Sequence, residues 1–298
     1  MAPLNLSIDL LRTFITVIEL GGFSRAGEAL GRTQPAISLQ MRRLEAQLGT
    51  KLITTSGRAI AVTEDGKALA MHARRMLLLN DEVVARFSRQ RLNGLLRVGL
   101  PTDYAVAFLQ GVLTEYGRVH PEVRLEIHCD LSHRLLEDLR RDKLDIVIAM
   151  TGQGVTQYLA REWVERPIWA ASRNWRPVAN EPVPIVAHPP GCEYRNRMTE
   201  ALNAAQRQWR IVYCSPGISG LQKAVTAGLG VSALTRRTLT DEMRILSEKD
   251  GFPRLADIRV GLFYKHPRQT DAGLLLVNDL ITNLDASGEA EFQRLARR

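Results

Sequence analysis

Apolar side chains recur at helical spacing through the first part of the chain, and each run ends at a glycine. Residues 7–20 carry an apolar stripe that predicts a helix, which Gly21-Gly22 should end. From Phe23 to Gly49 the pattern predicts a short helix, a tight turn and a longer helix. Ser24 is the expected cap of the short helix, and Gly31 is its expected end because glycine adopts the left-handed conformation easily.

The longer of these two helices has an apolar face and a polar face. Thr33 is its expected cap, and Pro35 falls in the first turn, where a missing N–H does no harm. At about 100° per residue, the side chains expected in the core are those of Ile37, Met41, Leu44 and Leu48. Those expected outside are Gln34, Ser38, Leu39, Arg42 and Arg43. This arrangement predicts a helix-turn-helix whose second helix enters the DNA major groove, and the alternative is a solvated face with one leucine.

A short hairpin and a long helix follow. Two β-favouring runs within 51–62 predict a hairpin that acts as a wing, with Arg58 at its tip reaching a phosphate or the minor groove. Thr63 opens a helix to about Gln90, and 91–94 is the expected hinge. The broad apolar stripe of this helix comprises Leu69, Met76, Leu77, Leu79, Val83, Val84 and Phe87. The stripe predicts pairing with the same helix of a second chain, and the alternative is a spacer packed on its own domain.

After the hinge, β-favouring runs alternate with helices. Residues 95–149 predict three strands and two helices, an order that forms a parallel sheet with both faces covered. Ligands bind beyond the carboxyl ends of such strands, here 101–103 and 150–152. Residues 168–264 predict a second α/β half, and 271–284 a closing helix. Two such halves with a cleft between them predict a small-molecule binding module.

Composition favours a polyanionic partner. The 298 residues predict two or three structural units, and 45% apolar with 24% charged residues are ordinary for a globular protein. The net charge is +8 and the pI about 9.7. Residues 1–92 carry 13 Lys and Arg against 8 Asp and Glu, so positive charge is denser where the helix-turn-helix lies.

Several functional classes are disfavoured by what the sequence lacks. Three cysteines do not make a disulfide scaffold, and neither a signal peptide nor an apolar run of about 20 residues is present, so we expect a cytoplasmic protein without membrane contact. Alternation along a strand directs His128 and Cys129 to opposite faces, which argues against a metal site with His133. No phosphate-binding glycine loop or nucleophile–base pair supports an enzyme, and we expect no cofactor.

Taken together, these motifs resemble those of the LysR-type transcriptional regulators. The resemblance is strongest from Leu10 to Gly66, where the family's motifs occur in order: Phe23-Ser-Arg-Ala, Thr33-Gln-Pro-Ala-Ile-Ser, Arg42-Arg-Leu-Glu, Leu48-Gly and Val62-Thr-Glu-Asp-Gly. Two more follow at Leu144-Asp-Ile-Val-Ile and Val225-Thr-Ala-Gly-Leu-Gly-Val. Asp103-Tyr104 and Pro190-Gly191-Cys192 are similar to the subgroup that contains the LrhA and HexA regulators.

The resemblance implies a multi-domain α and α/β fold. The implied parts are a winged helix-turn-helix domain (1–63), a linker and dimerisation helix with its hinge (64–92), and an α/β effector domain (93–298). The effector domain is two-lobed, like a periplasmic binding protein. Lobe I comprises about 93–163 and 264–298, and lobe II about 164–263. It also implies a bacterial homodimer or homotetramer that binds double-stranded promoter DNA, responds to a small-molecule effector and contacts RNA polymerase.

Two sets of site residues follow from the resemblance. The DNA-binding set is Ser24, Arg25, Thr33, Gln34, Pro35, Ser38, Leu39, Arg42, Arg43 and Arg58. The effector-binding set is Pro101, Thr102, Asp103, Thr151, Gly152, Cys192, Tyr194, Ser215 and Ile218.

Cys192 has a redox interpretation as well as a structural one. It precedes a predicted helix, where a thiolate is favoured, and a redox-sensing member of the family has a cysteine at the matching position. That sensor needs a second cysteine shortly after, whereas here Cys214 starts a different loop. Lining of the effector cleft is therefore favoured.

The main alternative to a regulator is a two-lobed solute-binding protein with an unrelated N-terminal helical domain. That interpretation explains the two α/β halves, but it requires export, for which the sequence shows no signal. The third alternative is an enzyme working in the cleft.

Overall fold

Two folded units joined by a long helix make up the chain. The computed structural model describes residues 5–56, 59–87, 93–109, 111–152, 155, 157–178 and 181–296. The first unit contains α1 (Ile8–Leu20), α2 (Phe23–Leu30), α3 (Gln34–Leu48), β1 (Ile53–Ser56) and β2 (Ala59–Val62). The joining helix is α4 (Glu64–Phe87).

The turn between α2 and α3 has the predicted form, with one correction. Gly31 ends α2 with φ at 61°, in the left-handed region that glycine occupies without a steric cost. Thr33 holds the cap position of α3, although its hydroxyl makes no capping hydrogen bond, and Pro35 lies in the first turn. Helix α2 begins already at Phe23, so Ser24 lies inside its first turn and does not cap it.

The predicted hairpin is present and is fastened to the start of α4. Strands β1 and β2 pair antiparallel, while the expected tip residue, Arg58, lies outside the described residues. The Thr63 hydroxyl caps α4 by accepting a hydrogen bond from the Gly66 N–H at 3.0 Å. A Cβ on Gly66 would lie 2.1 Å from the Leu52 carbonyl oxygen, so glycine lets α4 meet the hairpin.

Helix α4 divides its apolar side chains among three surroundings, which corrects the single stripe expected from the sequence. Leu77 is fully buried in the core of the first unit, in the cluster that contains Phe14. Leu78 is buried instead in the core of the α/β domain. The Leu79 side chain is 61% exposed. Among the described side chains, the large apolar ones of α4 that stay exposed are Met71, Met76, Leu79, Val83 and Val84. The side chain of Phe87 lies outside them.

The α/β domain alternates strands and helices through most of its length. Its elements are β3 (Gly94–Leu100), α5 (Thr102–Leu109), α6 (Val112–Val119), β4 (Val123–Cys129), α7 (Ser132–Arg140), β5 (Ile146–Thr151), β6 (Leu159–Glu165), β7 (Ile168–Ser172), β8 (Val183–Ala187), α8 (Glu193–Ala204), β9 (Trp209–Cys214), α9 (Ile218–Thr226), β10 (Ser232–Leu234), β11 (Met243–Leu246), β12 (Ile258–Tyr264) and α10 (Asp271–Ala296). The helix predicted after β3 is divided into α5 and α6, and the sequence pattern does not predict β6 or β11.

The first lobe is built on a sheet in the order β4-β3-β5-β12-β6. Strand β3 pairs parallel with β4 and β5, as the sequence predicts. Strand β12 runs antiparallel to both of its neighbours, β5 and β6. The residues of β12 therefore lie in the first lobe, although the expected boundary puts most of them in the second. Because β12 is antiparallel, its carboxyl end lies at the end of the sheet opposite to the carboxyl ends of β3, β4 and β5.

The second lobe combines antiparallel and parallel pairing. Strands β10 and β11 flank β7 in an antiparallel group, and β8 pairs parallel with β9. A bridge from Ile185 to Val231 connects the two groups. The chain enters this lobe after β6 and leaves it before β12, so a cleft between the lobes faces the carboxyl ends of β3, β4 and β5.

Candidate functional site

The outer face of α3 combines polar groups with one apolar side chain. Exposed at this face are Thr33, Gln34, Pro35, Arg42 and Arg43, and Ser38 is half-buried. Leu39 lies among them with 60% of its surface exposed. Amide, hydroxyl and guanidinium groups can bond base edges or phosphates, and a leucine can contact a thymine methyl group. The face therefore has the chemistry of a groove-reading surface.

The guanidinium groups of Arg42 and Arg43 lie exposed on this face. Within the part of the chain that the structure describes, Arg42 and Arg43 form no ion pair or hydrogen bond. Arg25, on α2, is exposed and donates a hydrogen bond to the Gly21 carbonyl oxygen at 3.1 Å. Ser24 is exposed beside it. Both free guanidinium groups on α3 are thus available to an external anion.

The opposite face of α3 holds the helix in place. Ile37 and Leu44 are fully buried, as the helical spacing predicts. The carboxylate of Glu45 accepts hydrogen bonds from the Leu52 N–H at 3.0 Å and from Lys51 Nζ at 2.7 Å. Burial disfavours its ionisation, but these bonds outweigh burial and lower the pKa of Glu45. This tie between α3 and the hairpin was not predicted, because only the tertiary fold shows that an acidic side chain is buried here.

A small cleft that is partly open to solvent lies between the two lobes, with a cavity volume of about 80 Å³. Five of the predicted effector residues line it: Pro101, Thr102, Asp103, Cys192 and Tyr194. Met150 also lines it, at a strand end where the sequence pattern predicts ligand binding. The sequence pattern did not identify the other lining residues, which are Cys129, Asp130, Leu131, Ser132, His188, Glu193 and Pro216. The carboxyl end of β4 could have indicated the group from Cys129 to Ser132, because it is the third parallel strand of the sheet.

Four predicted effector residues do not line this cleft. Thr151 is buried at the end of β5, and Gly152 is exposed just after it. The Ser215 hydroxyl accepts a hydrogen bond from the Gly217 N–H at 3.2 Å, shaping the turn before α9. Ile218 is buried in the apolar core of the second lobe. Thr151 and Ser215 each adjoin a lining residue in sequence without lining the cleft themselves.

Among the described residues, two side-chain hydrogen bonds join the lobes at the cleft. The Tyr194 hydroxyl donates to Asp103 Oδ2 at 3.0 Å, and the Thr102 hydroxyl donates to the Pro216 carbonyl oxygen at 3.1 Å. Burial raises the pKa of Asp103, and the hydrogen bond from Tyr194 only partly offsets this. Burial also raises the pKa of Tyr194, so its phenol stays protonated and acts as the donor.

The charged groups that line the cleft are all acidic. They are the carboxylates of Asp103, Asp130 and Glu193, and no lysine or arginine is among the described lining residues. Burial lowers the pKa of His188, which favours a neutral imidazole.

The thiols of the cleft are not activated. Burial raises the pKa of Cys192 to about 11 and also raises the pKa of Cys129. The effect of burial thus exceeds the thiolate preference expected at the start of a helix. At neutral pH both thiols are protonated, which agrees with lining rather than with redox sensing.

A second buried polar cluster, the interdomain junction, lies where α1, α4 and the residues after β12 meet. Arg74 Nε lies 3.1 Å from Glu19 Oε1, and the His266 backbone N–H donates to Glu19 Oε2 at 3.2 Å. His266 Nε2 lies 2.9 Å from Asp81 Oδ2. Arg12 Nη1 donates to the same oxygen at 3.2 Å. The junction fastens the helix-turn-helix to the α/β domain through α4.

Burial and pairing act differently on the two carboxylates of the junction. For Glu19, burial dominates and raises the pKa, although the charge of Arg74 works against it. For Asp81, burial is outweighed by hydrogen bonds from His266, Arg12 and Asn80, so its pKa is lowered well below the usual range. Both carboxylates nevertheless have a cationic side chain in direct contact.

No group of three or more His, Cys, Asp and Glu side chains with the geometry of a metal site occurs among the described residues. In the same part of the chain, none of the helices combines the length and apolar character that crossing a bilayer requires.

Comparison with known proteins identifies both units. The model for the bacterial regulatory helix-turn-helix protein of the lysR family matches residues 8–67, and the model for the LysR substrate binding domain matches residues 89–284. HTH-type transcriptional regulator DgdR of Burkholderia cepacia is 32% identical over 272 residues, which are 91% of this chain and 91% of DgdR. HTH-type transcriptional regulator PecT of Dickeya dadantii is 32% identical over 256 residues, 86% of this chain and 81% of PecT.

Solved structures share the fold at lower identity. CrgA from Neisseria meningitidis, a LysR-type transcriptional regulator, aligns over 94% of this chain and 99% of its own with a TM-score of 0.55 and 19% identity. DarR from Vibrio fischeri, solved in complex with DNA, aligns over 92% of this chain and 98% of its own with a TM-score of 0.51 and 18% identity. The helix-turn-helix unit and the α/β domain thus occur together, in the same order, in known proteins. This argues against the alternative interpretation, a solute-binding protein with an unrelated N-terminal domain.

Proposed function

We propose, from the premise that this chain belongs to the LysR family of transcriptional regulators, that the outer face of α3 reads promoter DNA and that the interlobe cleft binds the effector. The chain is a DNA-binding transcriptional regulator with an effector-binding domain, and its relatives are regulators rather than enzymes. The observation that supports the assignment of α3 most directly is its pair of exposed arginines, which have no partner among the described residues and lie beside an exposed leucine.

The proposed DNA contacts divide into base reading and phosphate binding. Gln34, Ser38 and Leu39 are placed to read base edges, since they share the outer face of α3. The remaining predicted residues are assigned to phosphates or to the adjoining backbone: Ser24, Arg25, Thr33, Pro35, Arg42, Arg43 and, on resemblance alone, Arg58.

The proposed effector site is the cleft, with the five predicted residues that line it as its first contacts. Thr151, Gly152, Ser215 and Ile218 are proposed to support the neighbouring loops. The domain division at 63 and 92 and the LrhA- and HexA-like subgroup also stand as proposals, the latter supported by Asp103, Tyr104 and the segment 190–192.

The exposed part of the α4 stripe is the proposed contact between two copies of the chain, which would bind DNA as an oligomer. A homodimer or homotetramer places two helix-turn-helix units on paired half-sites. Contact with RNA polymerase and a cytoplasmic location are proposed on the same basis, because a promoter-binding regulator works where transcription occurs.

The test is binding to the DNA upstream of the protein's own gene, compared with an unrelated fragment, across a salt series. Arg42→Ala should weaken binding to both fragments and reduce the salt dependence by about one counterion. Gln34→Ala should reduce the preference for the upstream fragment, with a loss of about 1–3 kcal/mol if it bonds a base. Fluorescence anisotropy with labelled duplexes measures both effects.

The matched control is Arg118→Ala, which removes an exposed arginine of the α/β domain that pairs with Glu115. This variant should bind like the parent protein. If Arg42→Ala and Gln34→Ala also bind like the parent, α3 does not contact DNA.

A further inference from the structure

We infer that the interlobe cleft accepts a ligand that carries a protonated amine, which lies beside Asp103. This inference rests on the proposed function, since it gives the chemical class of the effector for the same cleft. It goes beyond the family assignment, which identifies no ligand.

The first observation is a buried carboxylate without a cationic partner. Asp103 is 8% exposed, and its side-chain partner is the neutral hydroxyl of Tyr194 at 3.0 Å. Among the described residues, no lysine or arginine forms an ion pair with Asp103. Hydrogen bonds from the backbone N–H groups of Asp103 and Tyr104 and the charge of Arg237 offset the effect of burial on its pKa only in part. A buried carboxylate in such surroundings is stabilised by any cation that reaches it.

The second observation is the sign of the remaining charges in the cleft. Asp130 and Glu193 also line it, on opposite lobes. Each has an arginine on its own helical segment: Arg134 at 3.5 Å from Asp130, and Arg197 at 3.3 Å from Glu193. Neither arginine lines the cleft, so the groups that a ligand meets directly are the carboxylates.

The helix ends at the cleft offset the negative potential of these carboxylates only in part. Helices α5, α7 and α8 begin at lining residues, and the start of a helix carries about half a positive charge. A carboxylate carries a full negative charge, and partly buried charges are screened little by salt. The free N–H groups of these helix ends suit an oxygen acceptor elsewhere on the same ligand.

Ammonium binding would act directly on the contact between the lobes. A cation beside Asp103 favours the ionised carboxylate, and any proton held by that carboxyl passes to solvent. The Tyr194 hydroxyl then donates to a charged acceptor, which makes a shorter and stronger hydrogen bond than a neutral one does. Because Asp103 lies on the first lobe and Tyr194 on the second, the ligand would strengthen the closed cleft.

Cys129 provides a direct probe of the field in the cleft, because it is exposed and lines it. Its thiolate attacks a methanethiosulfonate, forming a mixed disulfide while methanesulfinate leaves. The rates of modification by the 2-(trimethylammonium)ethyl and 2-sulfonatoethyl reagents are compared by mass spectrometry of the peptide 125–134. The ratio of the two rates is divided by the same ratio for free 2-mercaptoethanol, which removes the intrinsic difference between the reagents.

We expect this normalised ratio to favour the cationic reagent by about tenfold. Asp103→Asn and Asp130→Asn should each reduce it, and the exposed position of Asp130 keeps the test valid if Asp103→Asn fails to fold. Asp241→Asn, an exposed acid that does not line the cleft, should leave the ratio unchanged.

A normalised ratio of one or below in the parent protein would overturn the inference, as would a ratio that neither cleft variant changes. The same protein is tested for binding to the upstream DNA without added ligand. If the protein binds DNA and the ratio is one or below, only the proposed ligand class is contradicted. If the protein does not bind DNA, the proposed role of α3 is contradicted, whatever the ratio.

Discussion

Buried carboxylates lie at both ends of the five-stranded sheet, two in the interdomain junction and Asp103 in the cleft, and they differ in how their charges are balanced. In the interdomain junction, Glu19 contacts Arg74, and Asp81 contacts Arg12 and His266. In the cleft, Asp103 contacts the hydroxyl of Tyr194. Each buried carboxylate of the junction is paired with a cationic side chain of the same chain, which suits a fixed contact between two domains. The cleft leaves one buried charge to be balanced from outside, which suits a binding site.

The difference also shows why burial alone does not identify a functional carboxylate. Burial raises the pKa of both Glu19 and Asp103. What separates them is the partner, a guanidinium in one case and a phenol in the other. A carboxylate paired with a buried cation belongs to the structure, whereas one paired with a neutral donor at a solvent-open cleft can still gain from a cationic ligand.

The largest effect that would test the comparison is expected at Arg74. Arg74→Met leaves Glu19 buried without its cation, so we expect a loss of about 3–5 kcal/mol in the free energy of unfolding. Urea denaturation of the full chain measures this loss. The matched control is Arg75→Met, because the neighbouring Arg75 is exposed and its loss uncovers no buried charge.

Adding Glu19→Leu to Arg74→Met should recover much of the stability, because the unpaired charge is then gone. If Arg74→Met costs no more than Arg75→Met, the junction is not held by this ion pair, and the contrast with the cleft fails.

A smaller effect is expected at Asp81, with a defined dependence on pH. The pKa of Asp81 is lower in the folded protein than in the unfolded chain, so the ionised carboxylate stabilises the fold at any pH above the unfolded-state pKa. This stabilisation is lost as the pH falls toward the folded-state pKa. Asp81→Asn should cost about 1–3 kcal/mol at neutral pH. The difference between variant and parent should shrink below about pH 4. Unfolding followed by circular dichroism between neutral and acidic pH checks both statements, and a difference independent of pH would contradict them.

Local chemistry made the helix-turn-helix predictable from the sequence. Gly31 permits the left-handed conformation that ends α2, because it has no Cβ, and the ring of Pro35 fixes φ in the first turn of α3. The spacing of Ile37 and Leu44 predicts which side of α3 is buried. The interpretation of Ser24 as a cap was wrong, because Gly22 already precedes the first helical residue.

Features that depend on distant parts of the chain were not predictable in the same way. Leu77 and Leu78 are adjacent and equally apolar, yet they pack into different cores, because α4 lies between two units. Strand β6 was missed because its pairing with β12 joins residues far apart in sequence. The cleft was predicted through the carboxyl ends of β3 and β5. Asp130 follows the carboxyl end of the third parallel strand, β4, which the sequence pattern also predicts, so the same rule could have indicated it.

The measurement that tests the comparison most directly is the free energy of unfolding of Asp103→Asn at neutral pH, with Asp81→Asn measured alongside. Both substitutions remove a buried negative charge and keep the shape of the side chain. Because the folded pKa of Asp103 is raised, its ionisation as the pH rises costs stability, and an amide can still accept the hydrogen bond from Tyr194. We predict that Asp103→Asn leaves stability unchanged or increases it by about 1 kcal/mol, while Asp81→Asn lowers it. An equal loss in both variants would contradict the account, since it would mean that the charge of Asp103 is already balanced within the protein.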